Sequence, residues 1–573
     1  LIVLTAPQMI DRRGAGSRNP MVVAAHARLM VLMLVFTACV AVVIFRLALL
    51  AITVEPASAA TAANAMVPLR GDVVDRNGAP LARTIDAWSI GIHPKKVIGD
   101  KAALAAQLAA VIPDRTEAQY RQILESDFTF TYLKRRALPE LVADVNALGE
   151  PGIAFSREPE RLYPQATMAA HALGYLSREG EGMRGMERAL NAQLTDPTAR
   201  AAPTQLSIDV RVQAALQSEL SRAMAKHSAA GAGGIVLDVN TGEVVAIASL
   251  PTFNPNNIAG ATDDMLRNNM TQSQYELGST FKPIAMAGAM DAGVVTSMAK
   301  RYDATAPLQV GRFRIRDDHP QNRWLNVPEL LVHSSNIATA RIAEEMGQAR
   351  MEQLFRNLEF DEAPNIEIRE KGKPIWPSYW GRTTVMTTAY GHGIAVTPLH
   401  LAQAYAALVN GGILRPATML KVESGRASPG KRVFSQNTSW RIRQMLRMIV
   451  TEGTGRRAEA PGYRVGGKTG TAEKPGSGGY SRSVNVSTFA AAFPMDSPRY
   501  VVIAMLDAPK GTSDTFGFTG AAWTAAPVVS RVIQRTGSML GVIPDRGTDI
   551  DTAELKSLMW RAPGEREAMA NAE

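Results

Sequence analysis

A run of uncharged, mostly apolar residues at 29–45 restricts this 573-residue chain more than any other feature. Continued by residues 47–54 beyond Arg46, it supplies the roughly 20 apolar residues of a membrane helix if Arg46 snorkels to an interface. Arg12, Arg13, Arg18 and Arg28 precede the run, and Glu55 is the first charge after Arg46. The positive-inside rule then puts residues 1–28 in the cytoplasm, 29–50 in the bilayer and the body outside. A cleaved signal peptide is the alternative, because Ala57-Ser58-Ala59 has the small-residue look of a cleavage site. The apolar core exceeds the usual ~7–15 residues of such a peptide, which favours a retained anchor. Cys39 falls inside the span and reads as a small apolar residue.

This segment also accounts for much of the charge. The chain carries 62 basic and 53 acidic residues, a net +9. Residues 1–50 hold five Arg and one Asp, which leaves 57 basic and 52 acidic residues, only +5, over the rest. No Lys/Arg stripe interleaved with aromatics follows, so a nucleic-acid partner is not expected. A single cysteine excludes a disulfide framework and a Cys-based zinc site. None of the eight His stands in H-E-x-x-H spacing.

The body is long enough for at least two domains. Small residues at 57–64 read as a linker. Arg70-Gly71-Asp72-Val73-Val74-Asp75-Arg76-Asn77-Gly78 reads as a short strand closed by an Asn-Gly turn. Residues 101–149 carry helical spacing broken by Pro113. A helix is expected at 212–228, then a hairpin with arms 234–239 and 243–249. A second hairpin, 484–493 with 500–506, lies beyond a mostly helical stretch at 277–455. Strands at both ends of one segment, with helices between, imply an α/β domain built on an antiparallel sheet.

Three short motifs fall in order within that domain. In Tyr275-Glu276-Leu277-Gly278-Ser279-Thr280-Phe281-Lys282-Pro283, Pro283 is tolerated only near a helix start. Ser279 and Lys282 therefore share the first turn and one face. A serine hydroxyl needs a base to become a nucleophile, and a lysine whose pKa is lowered by burial or a second cation can serve. Alone, S-x-x-K is weak, recurring by chance roughly once per 300 residues. Ser334-Ser335-Asn336 opens a further helix; it is either an ordinary N-cap or a hydroxyl relay with Asn336 beside the lysine and a substrate amide. Val465-Gly466-Gly467-Lys468-Thr469-Gly470-Thr471-Ala472 is the specific one, with K-T-G-T expected by chance at roughly one in 10⁵ positions. Its glycines permit close backbone approach, Lys468, Thr469 and Thr471 make a carboxylate-binding set, and strand amides can donate to an oxyanion. A phosphate loop is excluded, because no G-x-x-x-x-G-K-[ST] occurs.

This ordered set resembles that of penicillin-binding proteins and class A β-lactamases. Tyr163-Pro164, Gly185-Met186-Glu187 and the segment 70–78 resemble the pedestal motifs of class B penicillin-binding proteins. Tyr275 to Pro283, Arg323-Trp324-Leu325, Gly391-His392-Gly393, Thr397-Pro398 and Lys468 to Lys474 resemble the septal, FtsI-type subfamily, particularly its α-proteobacterial form. The resemblance runs from the anchor to about residue 542. It implies a cytoplasmic terminus (1–28), a transmembrane helix (29–50), an elongated α+β pedestal or dimerisation-type domain (62–205), a transpeptidase domain of the β-lactamase-like α/β fold (206–545) and a tail (546–573).

It also implies a reaction. Ser279 attacks the D-Ala–D-Ala bond of a peptidoglycan stem peptide and releases D-Ala, and an amine of a neighbouring stem peptide resolves the acyl-enzyme as a 4→3 cross-link. Lys282 is implied as base, Ser334 and Asn336 as relay and positioning groups, and Lys468, Thr469, Gly470 and Thr471 as the substrate-binding strand. The Ser279 and Thr471 amides would form the oxyanion hole. No metal or cofactor is implied, and β-lactams would acylate Ser279. The implied setting is the inner membrane at the division septum, with the catalytic body periplasmic and a SEDS glycosyltransferase of the FtsW type and other divisome proteins as partners. An elongation-specific transpeptidase and a membrane-bound β-lactamase or β-lactam sensor are the alternatives. No deacylating E-x-x-L-N follows the second motif, which disfavours a hydrolase.

Overall fold

The computed structural model describes residues 20–53, 69–476 and 479–560. Arg12, Arg13, Arg18, Glu55, the linker at 57–64 and residues 561–573 of the tail lie outside them. The chain divides into two compact units between Met66 and Val67.

The first unit is one helix, α1 (Pro20–Thr53). Its Arg28–Arg46 stretch has a mean hydropathy of 2.6 and no buried side chains, so it is long and apolar enough to cross a membrane. Thr37 donates its hydroxyl to the Met33 carbonyl at 2.7 Å, an internal partner for a polar group that lipid cannot satisfy. Cys39 is exposed on the helix.

The second unit begins with a five-stranded sheet. Strand β1 (Val73–Val74) lies between β2 (Pro80–Ile92) and β5 (Thr204–Gln205), and β2 pairs along its length with β3 (Thr131–Ala137) and β4 (Ile153–Leu162). Helices α2 (Lys101–Val111), α3 (Glu117–Leu124) and α4 (Pro139–Asn146) cover it, and Ile90, Leu104, Leu108, Tyr120 and Leu133 form their common core. The helical pattern expected over 101–149 is therefore interrupted by β3. Only Leu133 and Ala137 of that strand are buried, and its basic side chains pair with carboxylates such as Glu160 on β4. Charge hides the two-residue period there.

Helix α5 (Val210–Lys226) leads into a second five-stranded sheet, whose strand order is β8-β9-β10-β6-β7, antiparallel throughout. The strands are β6 (Gly231–Asp238), β7 (Val244–Leu250), β8 (Gly466–Gly476), β9 (Gly479–Phe493) and β10 (Tyr500–Asp507). Both faces are covered, and alternate residues serve different cores. Val502, Ala504 and Leu506 join Leu216 of α5 and Val528 of α10 (Ala525–Thr536). Val501, Ile503 and Met505 join the helices of the long central insert. Those include α6 (Lys282–Asp291), α7 (Asn336–Asn357), α8 (Pro398–Val409) and α9 (Gln436–Thr451). The insert also contains short strand pairs between residues 301 and 326, which helical spacing did not foretell.

The two parts of this unit are joined by side-chain bonds. Asp75 accepts from the amides of Asn77, Ala79 and Val210, at the start of α5. Asn256 accepts from Arg136 and from the Tyr163 amide. The described part of the tail packs too: Ile550 and Leu555 are buried, and the Trp560 amide donates to Glu329 at 2.7 Å.

Candidate active site

Ser279 sits in a single 3-10 turn, Gly278–Phe281, that feeds directly into α6, whose first residue is Lys282. Gly278 has φ +55°, and its amide donates to the Gly391 carbonyl at 3.3 Å. A Cβ on Gly391 would lie 2.3 Å from the Gly278 carbonyl oxygen, so glycine is required where these backbones cross. The fully buried Tyr405 donates its hydroxyl to the Thr280 carbonyl at 2.9 Å and pins the turn from inside. Ser279 stays half-buried at the surface of this support.

Lys282 is buried, and its ammonium donates to the Ser334 carbonyl at 2.5 Å and to Ser334 Oγ at 3.1 Å. Ser334 occupies the left-handed region, φ +60°, which costs a non-glycine residue of order 1 kcal/mol. Its neighbour does the ordinary work: Ser335 caps α7, accepting from the Ala338 amide at 3.0 Å. The N-cap of this motif is therefore Ser335, and the Ser334 hydroxyl faces Lys282. Asn336 donates from Nδ2 to the Arg316 carbonyl at 2.9 Å.

Among the described residues, strand β8 is an edge of the sheet, with only β9 hydrogen-bonded beside it. Lys468 is fully buried and donates to the Thr469 carbonyl and to Thr469 Oγ1, both at 3.0 Å. Thr454 Oγ1 lies 3.2 Å from Thr469 Oγ1. Thr471 is exposed, and its hydroxyl accepts from the Ala521 amide at 3.2 Å. The strand's glycines serve internal packing: a Cβ on Gly470 would lie 2.4 Å from the Leu277 carbonyl oxygen, and one on Gly467 2.5 Å from that of Ala490. Gly470 is what lets the Ser279 turn press against β8.

Two lysines share this interior, and among the described residues neither has a carboxylate within 4 Å. Burial lowers Lys282 to about 8, against the opposing pull of Asp317 and Asp318. Burial also pushes Lys468 well below the ordinary lysine range, and repulsion from Lys282 adds to it. A fraction of Lys282 therefore carries a neutral amine near pH 7, held against the Ser334 hydroxyl.

The chain matches the penicillin-binding protein transpeptidase domain over residues 232–531 and the penicillin-binding protein dimerisation domain over 65–198. It is 41% identical over 487 residues, 82% of each chain, to the probable peptidoglycan D,D-transpeptidase FtsI of Caulobacter vibrioides. The chain belongs to the class B, FtsI-type penicillin-binding proteins. The Escherichia coli K12 peptidoglycan D,D-transpeptidase FtsI is 28% identical over 517 residues, 85% of this chain and 86% of its own. In fold, this penicillin-binding protein is similar to penicillin-binding protein 3 of Mycobacterium tuberculosis, solved with aztreonam: TM-score 0.65, 24% identity, 85% of this chain and 98% of that one.

Motif reading missed several supports of this penicillin-binding protein's site. Asp317 accepts from Ser335 Oγ at 2.7 Å and from the Ile337 amide at 2.9 Å, so it fixes the second motif from an irregular segment 18 residues earlier. Thr454 and Tyr405 are equally silent in sequence. Gly278 had a signal, a glycine directly before the candidate nucleophile.

Proposed function

We propose that Ser279 is the nucleophile of a D,D-transpeptidase that cross-links peptidoglycan stem peptides. The observation that carries this reading is the buried Lys282, three residues from Ser279, with its amine on Ser334 and its pKa lowered to about 8. Neutral Lys282 takes the Ser279 proton as Oγ bonds to the penultimate D-Ala carbonyl carbon. The developing oxyanion is met by the Ser279 and Thr471 amides. The donor lies along the open edge of β8 as an added strand. Thr469 and Thr471 hold its terminal carboxylate, Gly470 keeps the strand against the Ser279 turn, and Asn336 orients the peptide amide. Lys468 acts through Thr469, whose hydroxyl it holds. Ser334 passes the proton from Lys282 to the departing D-Ala amine as the C–N bond breaks. A side-chain amine of a second stem peptide then attacks the acyl-enzyme, its proton leaves by the same route, and Ser279 is released.

Penicillin, a mimic of the D-Ala–D-Ala end, should acylate Ser279 and stay attached. Intact-mass analysis of purified protein should show one long-lived penicilloyl adduct, absent from Ser279→Ala. Failure of the wild type to label, or rapid release of hydrolysed antibiotic, overturns the reading. In this reading the enzyme is held in the inner membrane by α1, with its body outside, and works at the septum beside an FtsW-type glycosyltransferase. Depletion should give filaments, and rounded cells would assign it to elongation. Exchanging α1 for an unrelated membrane helix should disturb partner capture if that helix is read by the glycosyltransferase.

A further inference from the structure

Arg323-Trp324-Leu325 and the tail have no part in the proposed reaction, yet the structure brings them together on the helix that delivers Ser334. That helix, Val327–Val332, is buried at every position, and only His333 separates its end from Ser334. The Ser334 amide donates to the Leu331 carbonyl at 3.2 Å and the Ser335 amide to that of Leu330 at 2.9 Å. Ser334 is therefore an extension of this helix, and its distance from Lys282 depends on where the helix sits.

One buried carboxylate holds the helix at its start. Glu329, only 2% exposed, accepts from the Asn326 amide at Oε2, while Asn326 Oδ1 accepts from the Glu329 amide. Its other oxygen, Oε1, takes two donors from outside the helix: Arg323 Nη1 at 2.9 Å and the Trp560 amide at 2.7 Å. The Arg323 guanidinium also faces the Trp560 ring, 5.1 Å from its centroid. Asn326 Nδ2 donates to the Leu558 carbonyl at 2.6 Å. Both residues of the cap thus hold the chain at 558–560.

That chain reaches the cap along α9. Asp549 pairs with Arg447 at 2.7 Å, the Asp551 carbonyl accepts from Gln444 at 2.6 Å, Glu554 pairs with Arg441 at 2.7 Å and Lys556 with Glu452 at 3.1 Å. Exposed pairs are weak singly, so the apolar anchors matter: Ile550 and Leu555 join the core that holds Leu330, Leu331 and Ile449. The whole segment lies beyond residue 531, where the match to the transpeptidase domain ends.

We infer that residues 549–560 form a strap that sets the position of Ser334 against Lys282, with the Trp560 amide on Glu329 as its clasp. Trp560 is a positioning residue, acting through the helix 327–332 and not on the reacting groups. Loss of its N–H leaves a buried carboxylate short of a donor, and the cap relieves this by moving. The inference rests on the proposed part of Ser334 in proton transfer.

Full-length protein in detergent micelles is acylated with a fluorescent penicillin, and saturation of the rate separates the acylation rate constant from the affinity of the first, noncovalent complex. Trp560→Pro deletes the N–H and keeps the chain; the rate constant should fall about tenfold and the affinity stay within about twofold. Trp560→Ala keeps the N–H and should lose no more than about threefold. The Ser334→Ala background shows whether the loss passes through Ser334. There Trp560→Pro should cost less than about twofold more, because the group being positioned is gone. A merely structural segment would slow both backgrounds alike. Amide hydrogen exchange reads the position without catalysis: the peptide spanning 327–335 should exchange faster in Trp560→Pro than in wild type, and peptides from β10 should not. Where Trp560→Pro does not accumulate folded, Glu329→Gln keeps the cap, withdraws the charge facing Arg323 and Trp560, and carries the same expectations. A normal rate constant, an equal loss in both backgrounds or unaltered exchange overturns the strap. A slow Ser334→Ala beside a normal Trp560→Pro overturns the strap alone. A Ser334→Ala protein that acylates like wild type overturns the Ser334 reading and the strap with it.

Discussion

Two buried cationic clusters in this protein solve the same electrostatic problem in opposite ways. Near the N-terminal sheet, Arg70 and Arg161 clamp Glu187 at 2.9 and 2.8 Å, with side-chain exposures of 1%, 4% and 1%. Arg70 also reaches the Gly180 carbonyl and Asn191, and Arg161 the Gly71 carbonyl. Guanidinium does not lose its proton, so this cluster keeps its charge and ties residues 70, 161 and 187 together. At the catalytic sheet, Lys282 and Lys468 are as deeply buried, yet among the described residues each meets only carbonyl and hydroxyl oxygens. A lysine left this way yields its proton readily. Burial with a carboxylate makes a staple; burial without one favours the neutral amine.

The largest effect that tests this contrast comes from Lys282→Met, an apolar replacement of similar length. Acylation by penicillin should fall by about 10³-fold or more, since a positioned base contributes roughly 10²–10⁴. Stability should hold or rise: a fall from 10.5 to about 8 corresponds to about 3 kcal/mol of strain in the charged form at 1.36 kcal/mol per unit. Glu187→Ala should do the converse. Removing the shared carboxylate leaves two guanidiniums buried and should cost about 3–5 kcal/mol in denaturant unfolding. Molecules that remain folded should still acylate within about threefold of wild type, because among the described residues the side-chain hydrogen bonds and ion pairs of Glu187 go to Arg70, Arg161 and Tyr163 and not to the Ser279 turn. A large fall in both quantities for either variant would erase the distinction.

Sequence foreshadowed these clusters unequally. Ser279 and Lys282 are visible because a helix start brings residues three apart together, and the hairpins because alternation and turn residues are local. The depth of Lys468 was hidden: a strand lysine reads as a solvent-facing group, and only the covering helices and the Ser279 turn put it inside. Asp317 was hidden for a related reason, since its link to Ser335 and Ile337 is made by a loop with no periodicity. Gly470 was seen but explained differently. Its missing side chain was assigned to an approaching substrate, whereas the Leu277 carbonyl already fills that space. Local pattern reveals which groups can react, and tertiary packing decides how deeply they are held.

Gly470→Ala sharpens the catalytic side next. The added Cβ would stand 2.4 Å from the Leu277 carbonyl oxygen and 2.7 Å from Thr280 Cγ2, so the Ser279 turn must move off β8. A displacement near 1 Å costs on the order of 10²-fold in rate, and acylation should drop by about that much with little change in unfolding. The pH profile gives a smaller effect in the unmodified protein. If Lys282 acts as a neutral base, kcat/KM for acylation should rise about tenfold from pH 7 to 9, with an inflection near its lowered value of about 8. Linkage has a definite sign here, because the folded-state value lies below the ordinary lysine value of 10.5. The Lys282 contribution to stability should therefore grow as pH rises from about 8 toward 10.5 and be lost as pH falls through about 8. An inflection above 10 would mean that Lys282 is held as an ordinary cation, like the arginines of the other cluster.

The smallest effect isolates what separates the two clusters, the nearness of a carboxylate. Asp317 is the first of the charges that raise Lys282, opposing burial. It is also half-buried and tied to Ser335 and Ile337, so it has a positional role as well. Asp317→Asn keeps the shape and removes the charge. With less opposition to burial, the acylation inflection should move down from about 8 by less than one unit, and the rate below the inflection should rise slightly relative to the plateau. A purely positional role predicts something else: a lower plateau with the inflection unmoved, because Ser334 would be displaced while the field at Lys282 stayed the same. An upward shift would contradict both. Bringing a carboxylate closer, toward the distances seen around Glu187, should turn Lys282 from a base into a staple, and Asp317→Asn takes the first measurable step in the other direction.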